Sequence, residues 1–167
     1  MTRRQWLSLL SSLGLSTAAA SIAQSTGADP KAARPRIEPL LHSDAQWRQR
    51  LTPEQYHVLR EEGTERPGSS ALNQEKRTGT YRCVGCELPL FNSNTKYESG
   101  TGWPSFFAVL PGAVQTKRDF KSLFVAIEYH CARCGGHHGH VFNDGPKPTG
   151  LRYCNNGVAL KFVPAAA

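Results

Sequence analysis

Two short stretches, "YRCVGCE" and "YHCARCGG", constrain this chain more than any other feature, because each sets two cysteines three residues apart. Cys83 and Cys86 form the first pair, and Cys131 and Cys134 the second. Each pair follows an aromatic strand residue and sits in a tight turn, and Gly135 comes directly after the second. Two such knuckles facing each other place four thiolates at the corners of a tetrahedron, the closed geometry of structural zinc. The 44 residues between the pairs exceed the usual spacing of a zinc ribbon, so a sheet has to bring the knuckles together. The rival reading is two disulfides. A bridge within one Cys-x-x-Cys closes a very small loop, constrains the unfolded chain little and tends to be redox-active, while cross-pairing between the knuckles stays open. The paired spacing favours four sulfurs around one zinc ion, although His130, His137, His138 and His140 lie close enough in sequence to replace a thiolate.

The rest of the chain changes character along its length. From Gln24 to Leu41 it is polar, Ala- and Pro-rich and aperiodic, with Pro30, Pro35 and Pro39, and reads as a linker. "SDAQWRQRL" and "LTPEQYHVLREEGTE" then read as helices. In the second, Thr52 is the N-cap, Pro53 takes the first helical position, Gln55 completes a capping box and Gly63 is expected to end the helix. From Gly79 onward short apolar runs alternate with Gly, Pro and Asn. Strands are expected in "TYRC", "FAVL", "SLFVAIEYHC", "HVF" and "GVALKFV", with the clearest alternation from Leu123 to Tyr129. Helices first and antiparallel strands afterwards make a mostly β, α+β domain over residues 42–164. The 167 residues suffice for one such domain plus a tail. With 39% hydrophobic and 20% charged residues, wholesale disorder is excluded.

The first 23 residues read as an export signal: a charged start at Arg3 and Arg4, an apolar stretch from Trp6 to Ala20, and small residues ahead of Gln24. The paired arginines in "TRRQWL" resemble the twin-arginine class of bacterial signals. The periplasm is therefore the expected location, with membrane anchoring as the outcome if the signal is not cleaved. Cleavage after Ala23 leaves 18 basic and 13 acidic residues, a net of +5 against +7 for the whole chain, and removes Met1, the only methionine. Twin-arginine export carries folded proteins, so zinc can be loaded before an oxidising compartment is met. The remaining basic charge is dispersed, without the Lys/Arg runs of a nucleic-acid surface.

Cys154, in "RYCNNG", is the cysteine with no partner three residues away. A buried inert thiol is one reading and a nucleophile is the other. Arg152 stands two residues before it, and Asn155 and Asn156 follow with amides. A positive, hydrogen-bonding environment lowers a thiol pKa from about 8.5 toward neutrality and raises the thiolate fraction. In "YESGTGWPSFF", Gly100 and Gly102 permit sharp turns and Pro104 stiffens the loop, which leaves Trp103 either as a core residue or as a wall of a small-molecule pocket.

"GTYRCVGCELPLF", "SGTGWPSF" and "CARCGGHHGHVFNDGPKPTGLRYCNNG", in that order, are similar to the pattern of the B-type methionine sulfoxide reductases, and the resemblance runs from Ser43 to Val163. It implies a fold of two antiparallel sheets and thiol-dependent reduction of the R epimer of protein-bound methionine sulfoxide. It further implies Cys154 as nucleophile and structural zinc on Cys83, Cys86, Cys131 and Cys134. His137, His140 and Asn156 are implied to organise the sulfoxide oxygen and water, and Trp103 to pack against the substrate methyl. His138 occupies a position usually apolar in the family. Many members carry a second, resolving cysteine where this chain has Thr101, so the sulfenic acid on Cys154 is expected to be reduced directly by a thioredoxin-like protein or a small thiol. The resemblance also carries the expectation of a monomer with oxidised proteins as partners and no nucleic acid. The competing class, a zinc-ribbon binding module without catalysis, would need no reactive Cys154.

Overall fold

A computed structural model describes residues 37–119 and 126–166. The export signal expected over 1–23 lies outside the described residues, as do most of the linker and Leu123 to Val125. Two helices come first: α1 (Asp44–Arg50) and α2 (Pro53–Glu61). Both begin with a complete capping box, Ser43 with Gln46 and Thr52 with Gln55. Each cap satisfies N–H groups that the first turn leaves unpaired, an effect of about 1 kcal/mol. The second helix ends differently from the expectation. Glu62, with φ of 57°, is the left-handed cap, and Gly63 continues the turn with its N–H donating to His57 O at 3.0 Å. A Cβ on Gly63 would stand 2.3 Å from the exposed His57 ring, so a larger residue there would have to displace that side chain.

Among the described residues the strands are β1 (Gly79–Cys83), β2 (Pro89–Asn92), β3 (Lys96–Tyr97), β4 (Ser105–Phe106), β5 (Val114–Asp119), β6 (Ala126–Cys131), β7 (His137–Phe142), β8 (Arg152–Asn155) and β9 (Leu160–Pro164). They form two antiparallel sheets, one ordered β2-β1-β9 and the other β3-β4-β8-β7-β6-β5. The alternation of β1 turns Tyr81 and Cys83 inward. Between the sheets, Phe91 stacks on Phe106 at 4.2 Å, and Tyr81 meets Phe106 edge-on at 4.9 Å, the offset and edge geometries that aromatic rings prefer.

"FAVL" is not a strand. Phe107 N–H bonds Thr95 O and Leu110 N–H bonds Leu90 O; these isolated bonds hold the segment in place without a ladder. Ile37 and Leu40 pack against the core, and Leu40 N–H donates to Arg133 O at 2.7 Å. The helices lie over the second knuckle: Arg60 Nη1 donates to Cys134 O at 3.0 Å, and its guanidinium sits 5.1 Å from the Trp47 ring centre.

Candidate functional site

The two knuckles are copies of one backbone turn. Cys83 O accepts from Glu87 N–H at 2.8 Å, as Cys131 O accepts from Gly135 N–H at 2.9 Å. Cys83 N–H donates to Leu88 O and Cys131 N–H to Gly136 O, both at 2.9 Å. The fourth residue after the first cysteine is left-handed in each copy, Glu87 at 60° and Gly135 at 68°. The turns bring the four sulfurs within 4.8 Å of one another, with Cys83 to Cys134 at 3.6 Å and Cys86 to Cys131 at 3.4 Å.

All four thiols are free, and these separations are far beyond the roughly 2.05 Å of a disulfide. A tetrahedron with metal–sulfur bonds of about 2.3 Å has edges of about 3.8 Å. The donor set therefore fits a metal ion.

Cys154 lies on β8, between Ser105 of β4 and His140 of β7 as cross-strand partners. The close approach depends on Gly139, φ of 154°, where a Cβ would come within 2.0 Å of Cys154 O. A cavity of about 180 Å³ opens on the thiol, walled by Thr64, Trp103, His140, Phe142 and Asn156. A larger depression, about 740 Å³ along α2, contains none of the catalytic, substrate or metal residues expected from the sequence.

The thiol's acidity runs against the sequence-based expectation. Burial pushes the Cys154 thiol up, outweighing the Arg152 charge and the hydrogen bonds from Thr101 and Arg152 that lower it. Arg152 is itself engaged by Asp144 through two bonds of 2.8 Å, with its guanidinium 4.3 Å from the Phe142 ring centre, so part of its field is neutralised. A neighbouring arginine in the sequence said nothing about how deeply the sulfur sits or which carboxylate the arginine already holds.

The two histidines meet at 5.5 Å between ring centres, each with its own carboxylate. His140 Nε2 lies 2.9 Å from Asp119 Oδ2. His137 is buried, with Nδ1 3.0 Å from Glu128 Oε1, and Glu128 is also 2.9 Å from Lys117 Nζ. Burial pushes the His137 imidazole down, with Glu128 opposing, so its neutral form dominates near neutral pH. Lys117 reaches on to Glu62 at 2.5 Å. His138 is fully buried against Tyr129, the rings 6.4 Å apart and inclined by 11°, and burial pushes it down to about 3.

Asn156 reaches the cavity with its amide engaged: Oδ1 accepts from Glu65 N–H at 3.0 Å, and Nδ2 donates to His138 O at 3.0 Å. Trp103 Nε1 donates to Glu65 O at 3.1 Å. The Glu65 carboxylate accepts from Gly157 and Val158 N–H at 2.6 and 3.0 Å. Glu65 thus ties the tryptophan loop, Asn156 and the turn after β8 together. Sequence reasoning missed it along with Asp119, Glu128 and Asp144, because a lone carboxylate carries no spacing signal. Trp103 lines the cavity from a loop in which Gly100 and Gly102 have φ of 73° and 90°. At Gly102 a Cβ would come 2.9 Å from Gly68 N, whose N–H donates to Gly102 O at 2.7 Å.

The SelR domain matches residues 51–164. The peptide methionine sulfoxide reductase MsrB of Agrobacterium fabrum (strain C58) is 57% identical over 123 residues, covering 73% of this chain and 91% of the relative. That of Pseudomonas putida (strain W619) is 54% identical over 120 residues, 71% and 90% of the two chains. The chloroplastic peptide methionine sulfoxide reductase B1 of Arabidopsis thaliana is 50% identical over 120 residues, 71% of this chain and 59% of that longer one.

Proposed function

The chain belongs to the SelR-domain family of B-type peptide methionine sulfoxide reductases, and from that premise we propose that it reduces the R epimer of protein-bound methionine sulfoxide through a sulfenic acid on Cys154. The carrying observation is the placement of a single thiol at a cavity walled by Trp103 and His140. Such a site can hold an apolar methyl against an aromatic face and present an imidazole to the sulfoxide oxygen. Membership of an enzyme family displaces the alternative of a non-catalytic zinc ribbon.

In the proposed reaction the Cys154 thiolate attacks the sulfoxide sulfur while a proton reaches the oxygen. The transient sulfur–sulfur bond and the substrate sulfur–oxygen bond then both break as the protonated oxygen passes to Cys154 as –SOH and methionine departs, so the substrate is reduced by two electrons and the thiol oxidised by two. His140, with Nε2 held by Asp119, delivers the proton from its other ring nitrogen. His137, anchored on Glu128, orients and relays. Asn156 holds the cavity's shape through Glu65 and His138, and its second amide hydrogen is left for oxygen or water.

Four of the five cysteines are gathered in the cluster, which supports recovery from outside the chain. One external thiol converts –SOH to a mixed disulfide and water, and a second releases Cys154 and leaves as disulfide. A thioredoxin-like protein or a small thiol fits that role. Zinc on Cys83, Cys86, Cys131 and Cys134 supplies a structural cross-link between the two sheets. We also propose export of the monomeric enzyme, on Arg3, Arg4 and the apolar stretch that follows.

The test is to purify the enzyme from the periplasm, sequence its N-terminus and supply both epimers of a peptide sulfoxide with dithiothreitol. We expect Gln24 as the first residue, loss of the R epimer only, and a dimedone adduct on Cys154 when the thiol is withheld. Consumption of the S epimer, or an intramolecular disulfide to Cys154, overturns the mechanism.

A further inference from the structure

The larger depression along α2 is a trough that adjoins the cavity over Cys154, and Thr64 lines both. Glu65 stands between them. Toward the cavity its N–H donates to Asn156 Oδ1 and its carbonyl accepts from Trp103 Nε1; toward the trough its carboxylate accepts from Gly157 and Val158 N–H. The trough is walled by apolar Val58, Leu72, Val158 and Leu160. Ser70 closes onto Gly157 so tightly that a Cβ there would lie 2.0 Å from Ser70 Oγ, which seats the segment carrying Ala71 and Leu72 against the turn after β8. Such a surface can bury apolar side chains, and the N–H groups of Gly157 and Val158 are already taken by Glu65.

The two volumes divide a substrate between them. About 180 Å³ over the thiol suits one side chain, whereas the trough holds about 740 Å³. Helix α2 has nine residues and is about 13 Å long, a distance that an extended polypeptide covers with about four residues. A chain whose sulfoxide side chain enters the cavity has to continue past Thr64, where the trough begins. Arg66 and Glu54 line the trough from exposed positions, and neither side chain forms an ion pair among the described residues. Two residues of chain span at most about 7 Å, so Arg66, two after Thr64, lies beside the residues that immediately flank the sulfoxide. Glu54 is in the first turn of α2, at the other end of the helix.

We propose that the trough is the subsite for the substrate's polypeptide chain. It takes about four residues on one side of the methionine sulfoxide, with apolar side chains against its walls and an acidic residue next to the sulfoxide, or next but one, paired with Arg66. The inference deepens the reductase reading and rests on the sulfoxide entering the cavity over Cys154. It names the substrate class as an extended stretch of protein with an acid near the oxidised methionine. Glu54 sets the opposite preference at the far end of the trough.

The experiment measures binding apart from turnover. A fluorescent dodecapeptide with one methionine-R-sulfoxide, apolar flanks and aspartates two residues to either side is titrated, by anisotropy, into the zinc-loaded chain carrying Cys154→Ser, which cannot consume it. Ala71→Trp, made at an exposed position on the trough, should raise the Kd about tenfold by excluding the peptide's apolar side chains. Arg66→Glu should raise it about threefold, and lower it for the same peptide with lysines in place of the aspartates. With Cys154 intact and dithiothreitol as donor, each variant should raise KM for the peptide and keep kcat, while N-acetyl-methionine-R-sulfoxide amide, which has no flanks, is reduced at the parent kcat/KM. A Kd unmoved by either variant, or an equal loss on the flankless substrate, overturns the proposal. Displacement of the dodecapeptide by a peptide of residues 24–36 would give the trough to the chain's own linker, and turnover impaired only with a thioredoxin-like donor would give it to the reductant; both overturn the proposal. Arg66→Glu carries the test by itself if Ala71→Trp fails to fold. A shifted Kd in a protein that reduces neither epimer would sink the reductase reading alone, and an unshifted one in an active reductase would sink the trough alone.

Discussion

The four-sulfur cluster and the single-thiol site use the same element in opposite ways. Each knuckle of the cluster closes on itself through hydrogen bonds between residues four and five apart, and the fold has only to bring two finished turns together. Around Cys154 almost nothing is local. Its partners arrive from Thr101 and Ser105 before it, from His140 on β7, and at one remove from Glu65, Asp119 and Glu128. The cluster confines its charge among sulfurs, whereas the site balances burial of one sulfur against an arginine and a hydroxyl. A repeated local motif builds the cluster, and an assembled environment builds the proposed site.

The largest expected effect separates the two directly. Cys131→Ser removes one of four ligands and should abolish bound zinc, cooperative unfolding and activity together, since structural zinc contributes folding free energy outright. Cys154→Ser should lower reductase activity at least about a thousandfold, as loss of a nucleophile does, while metal content and melting temperature stay at parent values. Zinc analysis, circular dichroism and a dithiothreitol-driven assay read all of this. A folded, active Cys131→Ser protein would erase the distinction.

A smaller effect sharpens the link between the regions, because His138 follows the second knuckle and precedes Gly139. Its folded-state pKa is depressed to about 3 by burial, while the unfolded chain protonates near 6.5. Stability from the neutral ring is complete above about pH 6.5 and is lost as pH falls toward 3, by about 1.4 kcal/mol per pH unit. His138→Leu should abolish that component. Urea unfolding at pH 7 and pH 5 should show the parent losing about 2 kcal/mol more than the variant. Equal losses would assign the acid sensitivity elsewhere.

The smallest effect tests the two knuckles as copies. Gly135→Ala forces a Cβ into a left-handed position and should cost about 1 kcal/mol, whereas Glu87→Gly relieves the same position in the first copy and should gain at most about 1 kcal/mol. The Glu87 ion pair with Lys161, 2.9 Å long and half exposed, offsets little of that gain. Chemical denaturation of the zinc-loaded proteins measures both, and a destabilising Glu87→Gly would show that the knuckles are not equivalent.

How much was legible follows the same division. The capping box at Thr52, the paired cysteines and the glycine-flanked Trp103 are short-range patterns, and the structure reproduces them. β3 and β4 are two residues long, too short for any periodicity. β8 reads Arg-Tyr-Cys-Asn and has no apolar alternation, yet it carries the proposed nucleophile. It is a strand because β4 and β7 flank it and supply both ladders.

By itself the sequence determined the two paired-cysteine knuckles, the helix starts and Cys154 as the odd cysteine, because these depend on spacing within a few residues and on arithmetic. Only the tertiary structure decided the state of that cysteine. Burial, which outweighs Arg152, and the carboxylates beside His137 and His140 are separations through space. Electrostatic and solvation energies depend on such separations, and positions along a chain do not encode them one residue at a time.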